Sequence, residues 1–145
     1  MLAVMKVQYL KGQANHLPEK DILAFLYLPA SALIPFVITY LLAIYYKRQP
    51  ASHMRYIIAG AVTLLGPSIG RINFGIENIT TAIIFAFALS DISLVGLLVY
   101  ELFNRKHYTP YVISLLICIF FHGLFAFFPY TNLWQTIAAK LVLIW

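Results

Sequence analysis

The chain has a single cysteine among 145 residues, which excludes an internal disulfide and any metal site built on a cysteine cluster. That residue, Cys118, lies within an apolar run and reads as a small packing side chain. Charge is also scarce. Only 10% of residues are charged, against about 25% in soluble domains, and five Asp and Glu stand against ten Lys and Arg. The deficit fits lipid as the surrounding medium. The resulting net charge of +5 is not a nucleic-acid footprint, because the basic residues gather at the ends of apolar runs, where they anchor helices to a membrane interface.

Catalytic, nucleotide and metal signatures are missing as well. Gly66-Pro67-Ser68-x-Gly70-Arg71 lacks the spacing and the lysine of a phosphate loop and sits inside an apolar stretch. Repeats and low-complexity tracts do not occur, and nothing outside the apolar runs is long enough for a soluble domain. Met1–Leu10 is broken by Lys6 and is followed by no small-residue cleavage site, which argues against a secretory signal. Residues 1–21 read instead as an interfacial segment or the tail of an earlier span, and residues 22–145 as one transmembrane domain.

Four long apolar runs fill that domain, and about 20 apolar residues suffice to cross a bilayer as helix. The first predicted helix is Ile22–Tyr46, kinked by Pro29 and Pro35. Membrane helices tolerate such prolines because neighbours and hydroxyls satisfy the freed carbonyls. The second runs from about Met54 to Phe74 and contains Gly66-Pro67; the third, Ile79–Phe103, is interrupted only by Asp91; the fourth runs from Pro110 to about Phe128. Leu133–Trp145 spans roughly 20 Å as helix, too short for a hydrocarbon core of about 30 Å. The expected fold is therefore all-α: an integral membrane bundle of four spans plus a short C-terminal helix, interfacial or partly inserted. Lys47, Arg48 and Arg55 flank the first connection and Arg105 and Lys106 occupy the third. The excess of Lys and Arg places the loops around 47–55 and 104–109 in the cytoplasm.

One intramembrane polar stratum stands out. At 1.5 Å per helical residue, Arg71 lies roughly 24 Å from Arg55, Asp91 roughly 21 Å from Arg105, and His122 roughly 21 Å from Tyr108. All three reach the same depth on three helices. An ionised carboxylate in hydrocarbon is expensive, so Asp91 needs a partner, an interior position or a proton. The Arg71 guanidinium suits a carboxylate, and His122 offers a pair able to exchange a proton. A structural ion pair that sets helix register explains the same residues equally well. Around the third helix, Ala82, Ala86, Ser90, Ser93 and Gly96 form a small-residue stripe that admits close helix approach. Asp91 points the opposite way, beside Ile84, Phe87, Leu94 and Leu98. The helix therefore requires neighbours on both sides: either it is central, or Asp91 faces a second copy or another membrane subunit.

Cofactor sites are weakly supported. Cys118 and His122 lie one turn apart, but two ligands do not make a zinc site. Bis-histidine haem wants two histidines at one depth, and only His122 is deep. His53 and His107 lie at the cytoplasmic face, where interfacial contact explains them.

Arg48-Gln49-Pro50-Ala51-Ser52-His53-Met54-Arg55, followed by Leu64-Leu65-Gly66-Pro67-Ser68-Ile69-Gly70-Arg71, resembles a group of poorly characterised bacterial multi-pass inner-membrane proteins. In these a proline-containing basic loop leads into a His-x-Arg helix start, an Arg closes that helix, and an Asp-bearing helix follows. The chain matches their later helices and departs from the usual His-Lys-Arg by carrying Met54. The resemblance implies a helical membrane protein and draws attention to His53, Arg55, Arg71 and Asp91; it implies no reaction. The expected role is a non-enzymatic membrane component that associates with other membrane helices. The alternative is a proton-linked or redox protein, using haem or quinone, built on Arg71, Asp91 and His122.

Overall fold

The structure is a computed structural model, and it describes residues 7, 9–10, 12–14, 16, 18–69, 79–104 and 107–143. Every regular element among the described residues is helical: α1 (Glu19–Phe25), α2 (Tyr27–Tyr45), α3 (Pro50–Thr63), α4 (Leu65–Ile69), α5 (Ile79–Phe103), α6 (Thr109–Leu124), a 3-10 turn (Phe128–Tyr130) and α7 (Asn132–Leu143).

Prolines decide where these helices stop. A proline lacks the N–H that would reach the carbonyl four residues back. Pro29 deprives Phe25 of its donor, and α1 ends at Phe25 with a turn at Leu26. Pro67 does the same to Thr63, the last residue of α3. Pro129 does it to Phe125, just beyond the end of α6 at Leu124. The kink expected around Pro29 thus falls one turn earlier, and the second predicted helix is divided into α3 and α4. Pro35 stays inside α2. Nearby hydroxyls turn onto the backbone: Ser31 Oγ donates to the Leu28 carbonyl at 2.8 Å, and Thr39 Oγ1 to the Pro35 carbonyl at 2.8 Å.

These breaks change the count of spanning helices. Among the described residues, two helical segments, Glu19–Tyr45 and Thr81–Phe103, are long and apolar enough to cross a membrane, where four were expected; residues 70–74 of the second expected span lie outside the described residues. The 16 residues of α6 reach about 24 Å, short of a full hydrocarbon core.

The chain divides into two compact units, one of Met1–Ser31 with His122–Trp145 and one of Ala32–Phe121. The first is organised by Trp134 of α7, which is buried with Leu23, Leu26, Tyr27, Ala30 and Ala138. Its ring meets Tyr27 edge-on at 5.2 Å. Its indole N–H donates to the Leu23 carbonyl at 2.9 Å, one of the four carbonyls that the end of α1 leaves without helical donors. The C-terminal helix, expected to be interfacial or partly inserted, packs on α1.

The second unit is built around α5. Ala59 of α3, Leu94 of α5, and Tyr111 and Cys118 of α6 form one buried cluster. On another side of α5, Gly66 of α4 lies against Ser90, Phe87 and Ala86, with a virtual Cβ 3.5 Å from Ser90 Oγ. The helix thus has neighbours on two sides within its own unit, the central arrangement the sequence allowed. The small-residue stripe is used over only part of its length. Ala86 and Ser90 are buried, whereas Gly96 is exposed and has nothing within 4 Å of a virtual Cβ. Gly60 of α3 brings that helix close to α2, its virtual Cβ lying 3.2 Å from Thr39 Oγ1.

Candidate functional site: a buried charge cluster at the basic end of the second unit

Sequence depth arithmetic selects Arg71, Asp91 and His122. Arg71, and with it the predicted ion pair to Asp91, lies outside the described residues. Asp91 is half-buried on α5 in the second unit; His122 is half-buried near the end of α6 and belongs to the first. Within its unit, Asp91 lies near enough to Cys118 to act on it electrostatically. Leu94, placed on the same side of α5 by the helical repeat, packs in one buried cluster with Cys118 of α6.

The best-defined polar arrangement lies nearer the basic loop. Arg55 is in the second turn of α3, and Glu101 is in the last turn of α5. Arg55 Nη2 donates to Glu101 Oε2 at 2.9 Å, with only 14% and 10% of the two side chains exposed. Arg55 Nη1 donates to the Ala51 carbonyl at 2.7 Å. Tyr111 of α6, 2% exposed, lies within electrostatic range of both members of the pair. Three helices thus converge on one ion pair. Two buried polar atoms have no hydrogen-bond partner among the described residues: Arg55 Nε and Ser114 Oγ.

Glu101 escaped the sequence reading, which treated Asp91 as the one interruption of α5 and Arg55 as an interfacial anchor. A usable signal was present. A carboxylate in the last turn of a helix is opposed by the negative end of the macrodipole, so it calls for a cation at the same depth. Arg55, near the start of a helix on the same basic side, is that cation.

His53 has a structural task. Its Nδ1 donates to the Ala43 carbonyl at 2.8 Å, which belongs to the last turn of α2 and lacks a helical donor. That bond settles the tautomer of the neutral ring and ties α3 to the end of α2. Tyr56 adds to the same joint by stacking on Tyr46 at 5.5 Å. His107 is exposed in the connection between α5 and α6. No group of three or more His, Cys, Asp or Glu able to hold a metal occurs among the described residues.

Among the described residues the fold is all-helical, with two helical segments long and apolar enough to cross a membrane, and the second unit contains a buried Arg–Glu pair. No protein family, curated protein or solved structure matches the chain.

Proposed function

We propose that this chain is a multi-pass component of a bacterial inner membrane, a non-enzymatic helical subunit that associates with other membrane helices. The observation that carries the proposal is α5. Only 28% of its most apolar stretch is buried within the fold, and Ile84, Phe85, Ile92, Val95 and Val99 are exposed along it. An apolar surface of that length is unfavourable in water and is covered by lipid or by neighbouring helices in a bilayer. The first segment, Glu19–Tyr45, is 56% buried and carries less of the argument. In this reading the four spans are α1–α2, α3–α4, α5, and α6 extended by the turns that follow it. The loops around 47–55 and 104–109 then lie in the cytoplasm, in line with the resemblance carried by His53-Met54-Arg55.

Native mass spectrometry of protein extracted gently from its own membrane tests the association. A second chain, either another copy or a different membrane subunit, should accompany it. Gly96→Leu, which fills an open position on the exposed side of α5, should remove that mass while leaving the melting temperature unchanged. A bare monomer under the mildest extraction would count against the subunit reading.

The alternative, a proton-linked or redox protein working through Arg71, Asp91 and His122, has one observation in its favour: Asp91 is half-buried beside Cys118 inside the second unit. On that reading Asp91→Asn abolishes a pH-dependent transport or redox activity and leaves the bundle folded. Full activity in the Asn variant sinks it.

A further inference from the structure

Helix ends meet at one level of the second unit. His53 of α3 reaches the Ala43 carbonyl of α2, and Arg55 of α3 pairs with Glu101 of α5. Tyr111 of α6 lies within electrostatic range of that pair. Two or three residues beyond this level stand Tyr45, which ends α2, Phe103, which ends α5, and Tyr108, which precedes α6. These rings are 78%, 86% and 46% exposed. The turn after Tyr45 carries Lys47 and Arg48, both exposed. Neither makes an ion pair among the described residues. Of the unit's described acids, Glu101 is taken by Arg55, and Asp91 lies about 15 Å back along α5.

Exposed rings backed by unpaired cations suit a membrane interface, where rings settle at the headgroup boundary and cations reach the phosphates. We propose that this end of the second unit binds phospholipid with an anionic headgroup. Lys47 and Arg48 hold the phosphate, and the rings of Tyr45, Phe103 and Tyr108 lie at the boundary with the acyl chains. Charge complementarity selects the occupant. Two cations without a carboxylate call for an anion, and exposed rings call for an anion joined to hydrocarbon. A free phosphate leaves the rings uncovered, and a zwitterionic headgroup brings its own cation to the phosphate. Arg55 takes no part, because Glu101 already holds it. The proposal rests on the membrane reading above and adds the class of lipid.

Native mass spectrometry of the full chain in mild micelles, titrated with phosphatidylglycerol or with phosphatidylcholine of the same acyl chains, tests it. Wild type should bind phosphatidylglycerol the more tightly. Lys47→Gln/Arg48→Gln should weaken that binding about 25-fold, about fivefold for each lost cation. Its phosphatidylcholine binding should stay unchanged. Lys47→Arg/Arg48→Lys, which keeps both charges, should behave as wild type. Lys20→Gln removes a cation that stands between Glu19 and Asp21 in the first unit, and it should leave the preference intact. Equal affinity of wild type for the two lipids overturns the proposal and leaves the membrane reading standing. Binding of neither lipid counts against both. A loss of about fivefold in Lys20→Gln would show an effect of net charge alone and overturns the proposal. So does release of phosphatidylglycerol by inorganic phosphate, or a companion protein that is lost from the Lys47→Gln/Arg48→Gln variant while its lipid stays bound.

Discussion

Glu101→Ala is expected to lower the stability of the second unit by about 3–5 kcal/mol, the usual consequence of stranding one member of a buried ion pair. The geometry supports the upper part of the scale used for ion pairs. The two side chains are 14% and 10% exposed, their contact is 2.9 Å, and three helices meet around them. Arg55 would be left with a single polar contact, to the Ala51 carbonyl. Arg55→Ala should cost a similar amount, because it leaves a carboxylate in the last turn of α5, where the helix dipole opposes it. The double variant Arg55→Met/Glu101→Leu should recover most of the loss, since well-packed apolar replacements of a buried pair are often neutral or better. Denaturant titration in mild micelles, followed by circular dichroism, reads all four proteins. A single-variant loss of less than about 1 kcal/mol would mark the pair as solvated, with the small energy of a surface contact.

Trp134→Ala is expected to cost about 3–5 kcal/mol, the range for removing a large buried aromatic. The indole is buried at the centre of the first unit, packed against Tyr27 at 5.2 Å and Phe128 at 5.9 Å. Truncation removes that packing and also the donor to the Leu23 carbonyl. Trp134→Phe separates the two contributions. It keeps most of the ring surface and should cost about 1–3 kcal/mol, the penalty for a buried acceptor left without its partner. Amide hydrogen exchange locates the effect: protection should fall in residues 19–31 and 132–143 and persist in α3 and α5. Loss of protection spread evenly over the chain would show that Trp134 does not act through the first unit.

Much of the helical framework was legible in the chain. The bounds of α5 agree with its apolar run, because a long run without proline meets nothing that interrupts the hydrogen-bond ladder. The run containing Pro29 reads as one kinked span and the run containing Pro67 as one helix, yet the helices stop at Phe25 and Thr63. The interrupting residue acts on the carbonyl one turn before itself, so the break lies upstream of the proline that causes it. The same reasoning shortens α6 ahead of Pro129.

The candidate site was less legible. Asp91 drew attention because it lies in mid-membrane, whereas Arg55 and Glu101 lie near helix ends, where charge is ordinary. Nothing in one helix reveals that both side chains turn inward toward Tyr111; that depends on how α3, α5 and α6 rotate against one another. His53 is similar. Its position beside a basic loop fits an interfacial role, and only the return of α3 against α2 brings its ring to the Ala43 carbonyl.

The sequence by itself determined the helical class and the apolar character of the long runs, since these follow from composition; proline alone did not fix the helix ends, because Pro35 stays inside α2. Tertiary structure decided which polar residues pair, which part of the small-residue stripe is covered, and that α7 docks through Trp134. Each of these depends on the relative rotation and depth of separate helices, set by the joint packing of side chains such as Leu94, Ala59 and Tyr111 and encoded in no single segment.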